Sequence, residues 1–140
     1  MNAPSSAPIA SQIFVNLPVK HLKRAVDFFA KLGFTFNADF TDDKATCMIV
    51  GENIYAMLLT ESFFQTFTGK PVADARTSTE VLTCIALASR EAVDKMVADA
   101  VTAGGAAPRP AKDHGFMYQH GFEDLDGHIW ELVYLRPATV

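Results

Sequence analysis

One pattern constrains this chain more than any other: an order of strand, helix and three strands that occurs twice, offset by 70 residues. In the first occurrence, Ile13, Phe14, Val15, Asn16 and Leu17 form an apolar run closed by Pro18, which predicts a buried strand. Leu22, Ala25, Val26, Phe29 and Leu32 then fall on one face of a helix, with Lys23, Arg24, Asp27 and Lys31 opposite and Gly33 as its left-handed stop. Phe34, Phe36, Ala38 and Phe40 alternate with Thr35, Asn37 and Asp39, the pattern of a half-buried strand. Turn chemistry at 41–44 and at Gly51-Glu52-Asn53 separates two more strands, 45–50 and 54–59.

The second occurrence begins with a strand at 81–88. Ser89 is a good N-cap for a helix whose apolar stripe is Val93, Met96, Val97, Ala100 and Val101, ended by Gly104-Gly105. An extended piece at 107–110, a strand at 115–122, the turn Asp124-Leu125-Asp126-Gly127 and a strand at 129–135 complete it. The shift sets Phe14 on Cys84, Leu17 on Leu87 and Val26 on Met96, so the repeat lies in periodicity and order rather than in residue identity. The expected fold is α+β: two β-α-β-β-β modules, 12–60 and 80–136, forming a curved eight-stranded mixed sheet around a groove with the helices on its outer face. Residues 1–11 are expected as a disordered leader. Residues 61–79, with Phe63, Phe64 and Phe67 at helical spacing, are expected as a linker or as a lid over a pocket.

Composition narrows the function classes. A 140-residue chain with 49% hydrophobic and 20% charged residues is long and apolar enough to bury a core without disulfides or structural metal. A net charge of −4 with interleaved signs gives no footprint for nucleic acid, and no apolar run approaches a membrane span. Cys47 and Cys84 sit in separate apolar runs, as free thiols of a cytoplasmic protein would.

Strand parity then sorts side chains into two faces. With Trp130 and Leu132 packed under a helix, Glu131 faces the groove; by the same argument so do Phe14, Asn16, Cys84 and Ala86, while Val15, Leu17, Ile85 and Leu87 face a helix. A carboxylate in a strand otherwise apolar must be paired, metal-bound or protonated, and Asn16 and Tyr118 are candidate partners for Glu131. A groove of this kind is a natural small-molecule site.

The segment Phe14-Val15-Asn16-Leu17-Pro18-Val19, followed by Leu22, Ala25, Phe28-Phe29 and Leu32-Gly33-Phe34, resembles the opening module of the vicinal oxygen chelate superfamily. The run Asp124-Leu125-Asp126-Gly127-His128-Ile129-Trp130-Glu131-Leu132 resembles that superfamily's closing motif. The likeness spans about residues 13–136 and is nearest to proteins described as glyoxalase, bleomycin-resistance protein or dioxygenase. It implies a homodimer and a groove in which metal-using members hold a divalent cation as a Lewis acid. Carried over, the ligand positions are Phe14, Leu58, Cys84 and Glu131; only Glu131 is a suitable oxygen ligand, and a Cys84 thiolate would favour softer ions.

His21, His114, His120 and His128 supply no obvious replacement, each having an ordinary surface histidine as its plain alternative. His114 and His120 flank the strand bearing Tyr118 and are the imidazoles expected to join Glu131 if a metal is held. The acidic turn fails as a calcium loop, since Phe122 and Val133 would take its end ligands. No nucleophile elbow, Cys-x-x-Cys or phosphate loop occurs, and Glu131 beside Cys84 would make that thiol less acidic.

The leading expectation is therefore a groove binding a small polar molecule through Phe14, Asn16, Leu58, Cys84, Tyr118 and Glu131, without metal or other cofactor. Glu131 is the catalytic candidate if the protein is an enzyme of the glyoxalase-like lyase or dioxygenase kind. The rivals are a metal-dependent lyase or dioxygenase using Glu131 with His114 and His120, and a structural or regulatory domain whose groove is filled by Phe63, Phe64 or Phe67.

Overall fold

A computed structural model describes residues 8–137; of the expected leader, 1–7 lie outside the described residues. The first module is built from β1 (Ile13–Val19), α1 (Leu22–Lys31), β2 (Thr35–Asn37), β3 (Ala45–Gly51) and β4 (Ile54–Thr60). The short helix α2 (Glu61–Gln65) follows, and the second module is β5 (Leu82–Ala86), α3 (Arg90–Thr102), β6 (Lys112–Asp113), β7 (Met117–Glu123) and β8 (Ile129–Leu135). The first strand of each module runs parallel to its last, Leu17 lying opposite Leu58 and Cys84 opposite Glu131. A parallel pair needs a long crossover, which the helix and hairpin of each module provide. The sheet orders, β1-β4-β3-β2 and β5-β8-β7-β6, are the same order twice. The α+β architecture and its eight strands are those expected, divided into two four-stranded sheets in which β1 and β5 are unpaired edges.

Both modules turn their helix-bearing faces inward onto one core. Leu17, Met48, Ala56 and Leu58 of the first sheet and Tyr118, Phe122, Trp130 and Leu132 of the second belong to the same buried cluster. Helix α1 joins them. Phe29 meets Trp130 edge-on at 5.3 Å between ring centroids, and Phe28 lies 6.1 Å from Phe122. Each such aromatic ring, fully removed from water, contributes roughly 1.5–3 kcal/mol. The amphipathic stripe read from sequence omits Phe28, which is 2% exposed because α1 has a second partner, the other module. The opposite faces of both sheets therefore point away from the shared core, and any groove is built on those outer faces.

Local chemistry accounts for most element ends. Ser89 accepts from the Ala92 N–H at 3.0 Å and caps α3. Asp42 Oδ1 accepts from the Lys44 and Ala45 N–H groups, closing the turn into β3. Two expectations are corrected. The alternation from Phe34 to Phe40 does not make one strand: Asn37 Oδ1 accepts from the Asp39 N–H and starts a short 3-10 turn, Ala38–Phe40, that leaves Phe40 exposed. Nor does Pro18 end the first strand. It is tolerated because β1 is an edge, where a missing N–H on the free side breaks no ladder bond.

Candidate functional site

The outer face of the second sheet carries Glu131 of β8, flanked in register by Cys84 on β5 and Gly121 on β7. Trp130 and Leu132, the neighbours of Glu131 in sequence, are fully buried on the other face, so packing on one side presents the carboxylate on the opposite one. Gly121 makes room for it. A Cβ there would lie 2.8 Å from the Trp130 carbonyl oxygen and 3.5 Å from Glu131 Oε2. The carboxylate is half-buried, and its Oε2 accepts from the Gln119 side-chain amide at 3.0 Å. The other end of that amide, Gln119 Oε1, lies 3.1 Å from His114 Nε2. Arg109, Pro110 and Lys112 complete a recess of about 190 Å³ over Gln119, Gly121 and Glu131. Arg109 is held by Glu123 at 3.1 Å, whereas Lys112 has no ion-pair partner among the described residues.

The other expected site residues are dispersed. Phe14 and Asn16 lie on the outer face of the first sheet, Phe14 stacked on Tyr55 at 4.9 Å and Asn16 donating to the Phe14 carbonyl. That is not the face holding Glu131. Leu58 is corrected: it is fully buried opposite Leu17 in the shared core, and its neighbour Met57, paired with Asn16, takes the outward position. Tyr118 is corrected too. It faces α3, where its hydroxyl donates to Asp94 at 2.5 Å and the Arg90 guanidinium covers its ring. The partner that strand parity did not name is Gln119, one residue on and facing the other way; its signal in the sequence was a polar residue two positions before a glycine on one strand face. Cys84 does lie beside Glu131, and partial burial and then the carboxylate's charge raise its thiol above the ordinary range, the opposite of an activated nucleophile.

The histidines separate into distinct environments. His21 is exposed at the start of α1. His120 shares the inner face with Tyr118 and Phe122, opposite Leu132, and its Nδ1 is buried without a hydrogen-bond partner among the described residues. The residue borders the recess, but its place opposite Leu132 sets the ring on the sheet face away from Glu131. His128 is not a surface histidine but a buried one, at 3% exposure, joining the Pro18 carbonyl (2.7 Å) and Glu80 (2.8 Å).

As a donor set for a divalent cation, these residues do not fit. The carried-over positions hold a phenylalanine, a buried leucine and an unactivated thiol beside one carboxylate, and His114 reaches Glu131 only through Gln119. The 61–79 segment does not cover the recess. Helix α2 packs on the ends of β1 and β4, Phe67 is exposed, and Ala75 and Arg76 lie against the turn at Gly127. The phenylalanines therefore do not fill the space above Glu131. No helix among the described residues is long and apolar enough to cross a membrane.

Comparison with known proteins places the fold. Residues 12–51 match the family model of the bleomycin resistance protein-like N-terminal region. Among solved structures, the hypothetical protein SA1046 from S. aureus is 26% identical, with a TM-score of 0.76 over 91% of this chain and 95% of that one. A glyoxalase/bleomycin resistance protein/dioxygenase family enzyme from Burkholderia phytofirmans is 16% identical, with a TM-score of 0.73 over 88% of this chain and 97% of its own. The bleomycin resistance determinant encoded on transposon Tn5 is 15% identical, with a TM-score of 0.65 over 91% and 100% of the two chains. No curated protein matches in sequence.

Proposed function

We propose that this chain is a member of the vicinal oxygen chelate superfamily that binds a small cationic or polyhydroxylated molecule at Glu131 without a metal ion. The observation that carries this reading is a half-buried carboxylate at the floor of a recess, with Oε2 held by Gln119 and Oε1 without a hydrogen bond among the described residues. An acceptor so placed recognises a hydroxyl, an ammonium or a guanidinium donor, and Lys112 at the rim, unpaired among the described residues, offers a donor in return, so the ligand carries acceptor groups beside its donors. The likeness in fold to the Tn5 bleomycin resistance determinant makes bleomycin, a cationic glycopeptide, a sensible first probe.

A homodimer is part of this proposal. The outer faces expose Phe14, Ile49 and Leu82, Ile13 and Ile54 are exposed at the strand ends, and β1 and β5 are unpaired edges, so one chain alone leaves the recess shallow. Phe14 and Asn16 would then complete the groove from a second copy. Light scattering should return twice the chain mass, and a monomer at micromolar concentration would remove this part.

The decisive experiment is calorimetric titration of metal-free protein with bleomycin, for the wild type and Glu131→Gln, with elemental analysis of protein purified without chelator. Losing a charge-assisted hydrogen bond of about 1.5–3 kcal/mol weakens binding by roughly 10- to 150-fold. The melting temperature should hardly move, since the replacement keeps shape. A stoichiometric divalent metal in the native protein, or equal binding by the variant, overturns the reading.

A further inference from the structure

The hydrogen bonds around Glu131 run in one direction, and that direction is forced. An ionised carboxylate only accepts, so the group that Gln119 presents to Glu131 Oε2 at 3.0 Å is its NH2. The amide is planar, so its carbonyl Oε1 then faces the opposite way, toward His114 Nε2 at 3.1 Å. A carbonyl also only accepts, so Nε2 of His114 carries a proton whether the ring is neutral or charged. Reversal of the amide would set its oxygen against the carboxylate and its NH2 against a ring N–H, two repulsive contacts in place of two hydrogen bonds.

His114 is itself fixed by the loop that bears it. Its backbone N–H donates to the Met117 carbonyl at 2.8 Å. The preceding Asp113 is gripped by both guanidinium nitrogens of Arg136, at 2.8 and 3.0 Å, and Arg136 also donates to the Gly115 carbonyl. A planar two-point clamp of this kind sets orientation as well as distance. The chain of fixation runs from the end of β8 through the loop before β7 and back to the carboxylate on β8.

We propose that His114 and Gln119 are positioning residues: His114 locks the orientation of the Gln119 amide, and that amide holds Oε2 of Glu131 so that Oε1 is the acceptor offered to the ligand. The proposal rests on Glu131 being the binding carboxylate. Neither residue needs to touch the ligand. Their effect is to remove rotamer freedom from Glu131 before binding, and preorganisation of this sort adds affinity without adding contacts.

The test combines a spectroscopic signature with a coupling measurement. In the wild type, the two side-chain amide protons of Gln119 should be widely separated in a 15N–1H spectrum, the proton bonded to the carboxylate lying downfield. In His114→Ala that separation should shrink toward the value of a free glutamine, and His114→Gln, which places an N–H donor near the Nε2 position, should restore it. Bleomycin affinity should fall roughly three- to tenfold in His114→Ala, the size of one partly exposed hydrogen bond, and recover in His114→Gln. Because His114 acts only through the amide, His114→Ala should cost nothing further in a Gln119→Met background.

An unchanged Gln119 signature in His114→Ala, or additive losses in the double variant, overturns the proposal. A wild type that shows the amide signature yet does not bind bleomycin overturns the use of Glu131 for that ligand and leaves the His114–Gln119 lock standing.

Discussion

Replacing His128 with leucine tests how the two modules and the segment between them are held together. His128 sits in the turn before β8, 3% exposed, and makes two bonds that leave its own element: Nε2 to the carbonyl of Pro18 on β1, and Nδ1 to the carboxylate of Glu80 just before β5. Both partners are acceptors, so the ring satisfies both at once only as the doubly protonated imidazolium. Burial pulls its pKa down, but the Asp124 charge, the Pro18 carbonyl and Glu80 together outweigh burial and hold it above the ordinary value. Hydrogen bonds from a charged donor contribute about 1.5–3 kcal/mol each, and the buried leucine returns roughly 1.5–3 kcal/mol by its apolar area. Two such bonds less the leucine's return leave an expected net loss of about 1.5–3 kcal/mol, which for a chain of this size lowers the melting temperature by roughly 5–10 °C.

The pH dependence gives the sharper check. A raised folded-state pKa means that the contribution is fully present below the unfolded value of about 6.5 and is lost as pH rises through the folded value. Urea melts of wild type and variant, followed by the fluorescence of the single tryptophan, Trp130, should show a gap widest near pH 6 and narrowing toward pH 9. A gap that stays constant or grows with pH would refute the imidazolium reading, and a variant within about 0.5 kcal/mol of wild type would refute the clip itself.

Three further outcomes follow from particular contacts. Trp130→Phe removes the indole N–H that donates to buried Asp124 at 3.0 Å along with part of the central ring cluster, and should cost about 2–4 kcal/mol in a melt read by circular dichroism. Gly121→Ala drives a methyl group against the Trp130 carbonyl and toward Glu131, so it should cost about 1–3 kcal/mol and weaken bleomycin binding; a variant with unchanged stability would show that the strand yields there. Asp113 is held down at about 2 by its hydrogen bonds from Arg136 and from the Gly115 N–H, so in Arg136→Ala its carboxyl should titrate nearer 4, read by carbon NMR. The benefit of that clamp is present above about pH 4 and disappears as pH falls through the folded value.

Much of the fold was legible because it follows from neighbours in sequence. The helical stripe of Leu22, Ala25 and Phe29, the Ser89 cap and the Asp42 and Asp124 turns are short-range patterns, and the duplicated order of elements reports two sheets with the same order of strands. Parity placed Glu131 outward because the large apolar side chains of Trp130 and Leu132 take the inner face of β8. Parity was not applied to Tyr118, whose amphipathic ring suits either face, and Leu58 was set by a family alignment one residue out of step with the outward positions. Alternation defines two sets of side chains, but only strand register and the packing of the second module decide which set is inside.

What the tertiary structure alone decided are the contacts between residues far apart in the chain. Phe28 is core because the other module closes over α1; His128 is buried because β1 ends beside its turn; Gln119 meets Glu131 because β7 and β8 pair in one register and not the next. Local propensity carries no information about such meetings, since a one-residue slip would leave every hydrophobic period intact and send each of these side chains to the opposite face.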